Sequence, residues 1–351
     1  MELLLLAVSF AVILVGAELF TNGVEWMGRR LDLAEGAVGS VLAAVGTALP
    51  ETMIPLVAIV LGTAAGHPAS SEAVGIGAVL GAPFMLATLA MFITGLAVVT
   101  QAGGRAQGDR MPVNAVVLGK DVRYFAVAYA IAVSAAFLPA SLAWGKVAVA
   151  VLLLGLYGVY VRAHLSAERQ EALDDDLAPL RFRRLDAPEN RHRPRLRVIG
   201  VQVLAALGLI VGGAVVFVGA VDQIARAVAV DATIVALVIA PVATELPEKL
   251  NSVIWVRQGK DTLAMGNITG AMVFQSCIPT VVALVLAPAA WSASAASLPS
   301  FASAAVALVS TAAVFLPMRR TGRLHGRGLL VGGAFYVGYL AFVAVAVAGL
   351  A

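Results

Sequence analysis

The stretches GTALPE, residues Gly46 to Glu51, and ATELPE, residues Ala243 to Glu248, decide how this chain is read. Each places a proline directly before a glutamate inside an apolar run. A proline within a helix has no amide hydrogen and clashes with the carbonyl four residues earlier. Pro50 therefore frees the carbonyl of Gly46, and Pro247 that of Ala243. In a bilayer a freed carbonyl is tolerated only where it lines a cavity or finds a partner. Glu51 and Glu248 sit one residue past each kink, near the middle of their segments. A charge at that depth costs at least about 2.5–3.5 kcal/mol, so it calls for a partner or a function.

The rest of the chain supplies the bilayer. Of its 351 residues, 60% are hydrophobic and 13% charged, and the mean hydropathy is +0.93. Soluble domains carry about 25% charged residues, so lipid must be the main solvent here. Ten apolar segments can be marked, at roughly 2–27, 34–65, 71–99, 123–139, 142–163, 198–221, 228–256, 262–288, 298–317 and 327–350. The first lacks a basic leader and outruns a signal-peptide core, so it reads as a retained membrane helix. The fold class expected is an all-α polytopic membrane protein.

Basic residues orient it. With the N-terminus outside, 21 of the 24 lysines and arginines fall in inside loops; Lys146, Arg226 and Lys249 are the exceptions. Lysine and arginine accumulate on the cytoplasmic side. Both termini are then outside and residues 164–197 cytoplasmic, in a plasma membrane of bacterial type. That stretch, with Asp174–Asp176 before an arginine-rich run, separates 1–163 from 198–351. It reads as a solvated linker touching anionic lipid rather than a nucleic-acid-binding segment.

The two parts repeat. At an offset of 197, Leu49-Pro50-Glu51 lands on Leu246-Pro247-Glu248, Thr47 on Thr244, Gly16-Ala17 on Gly213-Ala214 and Phe20 on Phe217. At 189, Gly77-x-x-x-Gly81-Ala82 lands on Gly266-x-x-x-Gly270-Ala271. Each part holds five segments, an odd number, so the second enters the membrane from the opposite side. Inverted repeats of this kind place substrate near the midplane, at the interface between repeats.

Two carboxylates, two freed carbonyls and the hydroxyls of Thr47 and Thr244 make an all-oxygen set that suits calcium or sodium, not zinc or copper. Glu51 and Glu248 are the primary candidate metal ligands. Glu245, one turn before Glu248, is either a third ligand or proton carrier, or the partner of Lys249 four residues on. Gln275 and Asn251 offer amide oxygens, and Asn267 a partner for a broken helix end. Gly77, Gly81, Gly266 and Gly270 would let helix backbones approach closely. Glu18 could line an access path; Glu25 and Asp222 read as interfacial. Cys277 is alone, and His67, His164, His192 and His325 fall in loops or at helix ends, which argues against a histidine metal centre or an intramembrane protease.

These strings, with GAVLGAPFML (Gly77 to Leu86) and GNITGAMVFQ (Gly266 to Gln275), resemble the Ca²⁺/cation antiporter superfamily, which contains the sodium/calcium exchangers. The resemblance implies ten helices, a diamond of ion sites centred on the two glutamates, and sliding of the first and sixth helices past the second, third, seventh and eighth. It carries over to Thr47, Glu51, Thr244 and Glu248. The chain departs from it at Ala48, Glu245, Ala82, Ala271, Leu86, Gln275 and Pro83, so the third segment has lost most of its ligands. The function expected is secondary antiport of Ca²⁺ against Na⁺ or H⁺. The alternatives are Na⁺/H⁺ exchange and a non-transporting member of the family. No cofactor, nucleic acid or obligate protein partner is implied; the partners are small cations and lipid.

Overall fold

A computed structural model describes residues 2–30, 49–64, 68–139, 142–168, 178–190, 193–228, 230–294 and 297–350. They form α1 (Glu2–Arg30), α2 (Leu49–Ala64), α3 (Pro68–Met85), α4 (Met91–Thr100), α5 (Ala115–Ser134), α6 (Ala143–Glu168), α7 (Leu196–Val228), α8 (Ala232–Arg257), α9 (Asp261–Leu286), α10 (Leu298–Thr321) and α11 (Val331–Leu350). A π-helical turn, Leu86–Ala90, joins α3 to α4 without a break in direction. Among the described residues seven helical spans are long and apolar enough to cross a membrane, and Glu51–Val60 and Ala232–Val242 are shorter apolar stretches. Helix α5 carries Lys120, Asp121 and Arg123 in its first turns, which lowers its apolarity.

The starts and stops follow side-chain chemistry. Asn114 accepts hydrogen bonds from the amides of Val116 and Val117 at 3.1 and 3.2 Å and opens α5. Asp231 does the same for α8 through Thr233, at 2.8 Å. Gly322, at φ 65°, ends α10 in the left-handed conformation that a side chain would strain.

Each part of the chain packs on the other. Helix α3 lies on α8, α2 touches α9, and α1 runs along α7. Helices α5 and α6 pack against α9, while α10 and α11 pack against α3 and its π turn. The aromatic contacts mirror this exchange: Phe84 meets Tyr339 at 4.6 Å between ring centroids, and Phe274 meets Tyr157 at 5.6 Å. The α3–π–α4 span is the most enclosed of the seven, and α1, α6 and α11 are the least buried.

The α1–α7 seam is reciprocal. A Cβ on Gly16 would lie 2.8 Å from Ile210 Cγ1 and 3.1 Å from the Ala206 carbonyl oxygen. One on Gly213 would lie 2.7 Å from Ile13 Cγ1 and 3.1 Å from the Ser9 carbonyl oxygen. All three pairings, 16 with 213, 13 with 210 and 9 with 206, share the offset of 197 found in the sequence.

Arginine-bearing loops converge at one end. Arg110–Met111 pairs antiparallel with Leu324–His325. Arg105 binds Asp261 and donates to the Val256 carbonyl at 2.7 Å. At the other end Lys146, 2% exposed, donates to the carbonyls of Pro288 and Trp291.

The linker differs from its expected solvated state. Over 178–190 it is docked: Leu180 is buried beside Trp26, Val198 and Ile199. The Arg181 amide donates to Asn22, the Phe182 amide to Gln202, and the Ala178 carbonyl accepts from Asn22 and Trp26. Glu18 is exposed and pairs with Arg181.

Candidate functional site

Helix α2 brings Glu51 in near its start, and α8 brings Thr244 from the middle of its length. The two line one small cavity with Ile54, Ala78, Ala82, Ala240 and Pro241. Its volume is about 10 Å³, room for about one water molecule or one bare ion. Glu51 is 5% exposed, so its carboxylate has been taken out of water within a mostly apolar lining. Thr244 donates its hydroxyl to the Ala240 carbonyl at 3.2 Å, which leaves its oxygen lone pairs as acceptors. The wall from α3 is Ala78 and Ala82 and contributes no side-chain oxygen.

The glycines explain why α3 comes so near. A Cβ at Gly77 would overlap the Thr233 carbonyl oxygen, and one at Gly81 that of Leu237. Backbone therefore rests on backbone between α3 and α8, beside the wall that Ala78 and Ala82 form. Gly266 has open space around it and Gly270 only the Tyr160 hydroxyl at 3.5 Å, among the described residues. Thr233 and Leu237 correspond at the repeat offset to positions 36 and 40, which lie outside the described residues.

A second pair adjoins the first. Glu245 is fully buried and accepts a hydrogen bond from the Gln275 amide nitrogen on α9. The Gln275 amide oxygen has no hydrogen-bond partner among the described residues. A buried acceptor without a donor costs about 1–3 kcal/mol, which a bound cation would remove.

Other expected site residues are reached in part. Gly46 and Thr47 lie outside the described residues. Pro50, Ala243, Pro247 and Glu248 lie on described helical backbone, with their side chains outside the description. Helix α8 runs on through Pro247 to Arg257, so the proline does not break the rod; what it removes is one amide donor. Asn267 meets the Ser252 hydroxyl at 3.5 Å within a continuous α9, not a broken helix end. Pro241 was not foreseen as a wall of the cavity, although a second proline six residues before Pro247 was a visible signal. The π turn was not foreseen either; it begins at Leu86, and Ser310 on α10 donates to its Ala87 carbonyl at 2.7 Å.

Comparison with known proteins agrees with this architecture. The H⁺/Ca²⁺ exchanger CAX superposes with a TM-score of 0.69 at 15% identity, covering 99% of this chain and 85% of that one. The sodium-calcium exchanger NCX_Mj superposes at 0.53 with 16% identity, covering 97% and 98%. CaxA of Alkalimonas amylolytica, an antiporter candidate, is 26% identical over 330 residues, 91% of this chain and 90% of its own. An uncharacterized membrane protein of Methanocaldococcus jannaschii is 42% identical over 57 residues; that match spans 16% of this chain and 19% of the relative. The profile of the sodium/calcium exchanger protein family matches residues 1–165 and 199–347. This chain belongs to that family, whose members are secondary transporters and not enzymes.

Proposed function

We propose that the chain is a secondary cation antiporter that exchanges Ca²⁺ for Na⁺ or H⁺ by alternating access at a mid-membrane glutamate site. The observation that carries the reading is the cavity shared by Glu51 and Thr244, between the two proline-bearing helices. Residue 248 follows Thr244 by four places on an unbroken helix, so it falls on the same face one turn along. Glu51 and Glu248 are the ligands that both ions would compete for. Thr47, Thr244, Glu245, Gln275 and the carbonyls of Gly46 and Ala243 complete the oxygen set. The architecture proposed is ten helices in two inverted halves, 1–163 and 198–351, with 164–197 cytoplasmic and both termini outside. The relatives named for H⁺/Ca²⁺ and sodium-calcium exchange support the choice of ions.

A monovalent Na⁺/H⁺ exchanger is the second reading, and the α3 wall favours it. Calcium takes about six to eight oxygen ligands. Ala78 and Ala82 supply none, and Leu86 is fully buried in the π turn. Proteoliposomes loaded with Na⁺ or poised with a pH step, and offered radioactive Ca²⁺ outside, separate the readings. Gradient-driven Ca²⁺ uptake that falls at least about tenfold in Glu51→Gln supports the first, a loss worth about 1.4 kcal/mol. Na⁺-dependent proton movement with no Ca²⁺ uptake supports the second. No movement of any cation under either gradient overturns both.

A further inference from the structure

A second cluster of buried polar groups lies between α5, α6 and α9, away from the glutamate cavity. Asp121 on α5 is 2% exposed. Its Oδ2 accepts from the Thr269 hydroxyl at 2.6 Å, and its Oδ1 from the Tyr160 hydroxyl at 3.3 Å. His164 Nε2 lies 3.0 Å from the same Oδ1, and His164 Nδ1 lies 3.1 Å from the Tyr160 carbonyl oxygen. Both ring nitrogens thus face oxygen atoms. A carbonyl oxygen can only accept, so a bond there puts a hydrogen on Nδ1. A bond between Nε2 and the carboxylate then needs one more proton than a neutral imidazole beside an ionised aspartate contains. Satisfying both of these contacts at once requires the pair to be loaded with that proton.

We propose that Asp121 and His164 form a proton-binding site distinct from the cation cavity, and that its occupancy fastens α5 and α6 to α9. Thr269 stands six residues before Gln275 on α9, about 9 Å along the helix at about 1.5 Å per residue. Loading the site therefore holds in place the helix that presents Gln275 to Glu245. Loss of the proton leaves one ring nitrogen presenting a lone pair to an oxygen atom, at the carboxylate or at the Tyr160 carbonyl, and the three-helix contact loosens. Aromatic rings from both helices pack around the pair. Helix α5 adds Tyr124, whose ring lies 5.3 Å from that of Tyr160, and α6 adds Tyr157. Lys120, Arg123 and Arg162 neighbour the pair in sequence but are exposed, and Asp261 on α9 is held by Arg105. The coupling to exchange rests on the antiporter reading; the proton site itself does not.

Two readouts keep those claims apart. Nitrogen NMR of ring-labelled histidine, on the full chain in lipid nanodiscs, follows the His164 titration directly; the His164→Gln variant assigns its signals. In Asp121→Asn the midpoint moves by about one pH unit or more, the size of effect a neighbouring charge produces. An unmoved midpoint overturns the proposal. If Asp121→Asn does not fold, Tyr160→Phe and Thr269→Val, each removing one hydroxyl from the carboxylate, replace it with the same criterion. In proteoliposomes the ratio of exchange rates at pH about 6 and about 8 changes at least about threefold in His164→Gln. An unchanged ratio overturns the coupling. A protein that moves no cation while its His164 titration answers to Asp121 fails as an antiporter and keeps the proton site.

Discussion

At the scale of single residues, burial assigns Glu245 and Gln275 a joint role. A hydrogen bond to a charged group is worth about 1.5–3 kcal/mol, and stranding the charge costs more than losing the bond. Gln275→Leu is therefore expected to lower thermal stability and to weaken cation affinity, while Glu245→Gln with Gln275 intact lowers affinity with little loss of stability. Thermal unfolding in detergent and cation-dependent protection against heat read the two effects separately. Equal destabilisation by both variants, with unchanged affinity, would make the pair a packing contact. Asp186 sets a different expectation, outside the membrane. The amide of Arg195 donates to its carboxylate at 2.8 Å, that of Ala187 at 2.9 Å, and the Arg195 guanidinium lies alongside. The Arg195 amide leads these causes, which hold the carboxyl below the usual carboxylate range against the opposing effect of burial. A depressed folded value means that stability is present above the unfolded value of about 3.9 and is lost as pH falls through the folded one. Hydrogen-exchange protection of residues 180–190, relative to the unfolded chain at the same pH, is expected to stay high at neutral pH and to fall only in strong acid.

Among the helices, the glycine contacts make the sharpest expectation. Gly81→Ala has to push the Leu237 carbonyl aside, and overpacking of this kind costs about 1–3 kcal/mol. Exchange should fall with it, although no ligand is touched, because α3 and α8 enclose the Glu51 cavity together. Gly208→Ala, on α7 with open space around it, should leave melting temperature and flux unchanged or slightly improved. Much at this scale was legible in advance: apolar length and basic loops mark where helices lie, and Gly77-x-x-x-Gly81 marks a close approach. Three features were not. The π turn at Leu86–Ala90 depends on how Ser310 and α11 pack from more than two hundred residues away. Asp121 sits between Lys120 and Val122 on a helix start that reads as interfacial, and His164 on a helix end that reads the same way. Only folding shows that both turn inward toward Thr269. The linker's arginines read as solvated because Arg183 and Arg184 are exposed, while Leu180 and the backbone amides beside it do the docking.

For the molecule as a whole, the convergence of arginine-bearing loops predicts a labelling pattern. Cys277 is buried, so the native chain should resist impermeant thiol reagents. Reporters placed as Arg183→Cys and Arg323→Cys should react only from the cytoplasmic side of intact cells, and one at Ser294→Cys only from the outside. Reaction of Arg183→Cys and Ser294→Cys from the same side would contradict the three crossings expected between them.

The α1–α7 seam has a consequence of its own. Gly16 and Gly213 each accept the other helix's isoleucine, so the surface is self-complementary in the way of an isologous two-fold interface. Two copies of either helix would meet through the same contact, and every side chain on it would then appear twice. Within one chain, the two sides are free to differ. At the repeat offset Ala48 corresponds to Glu245, a carboxylate on one side with no twin on the other.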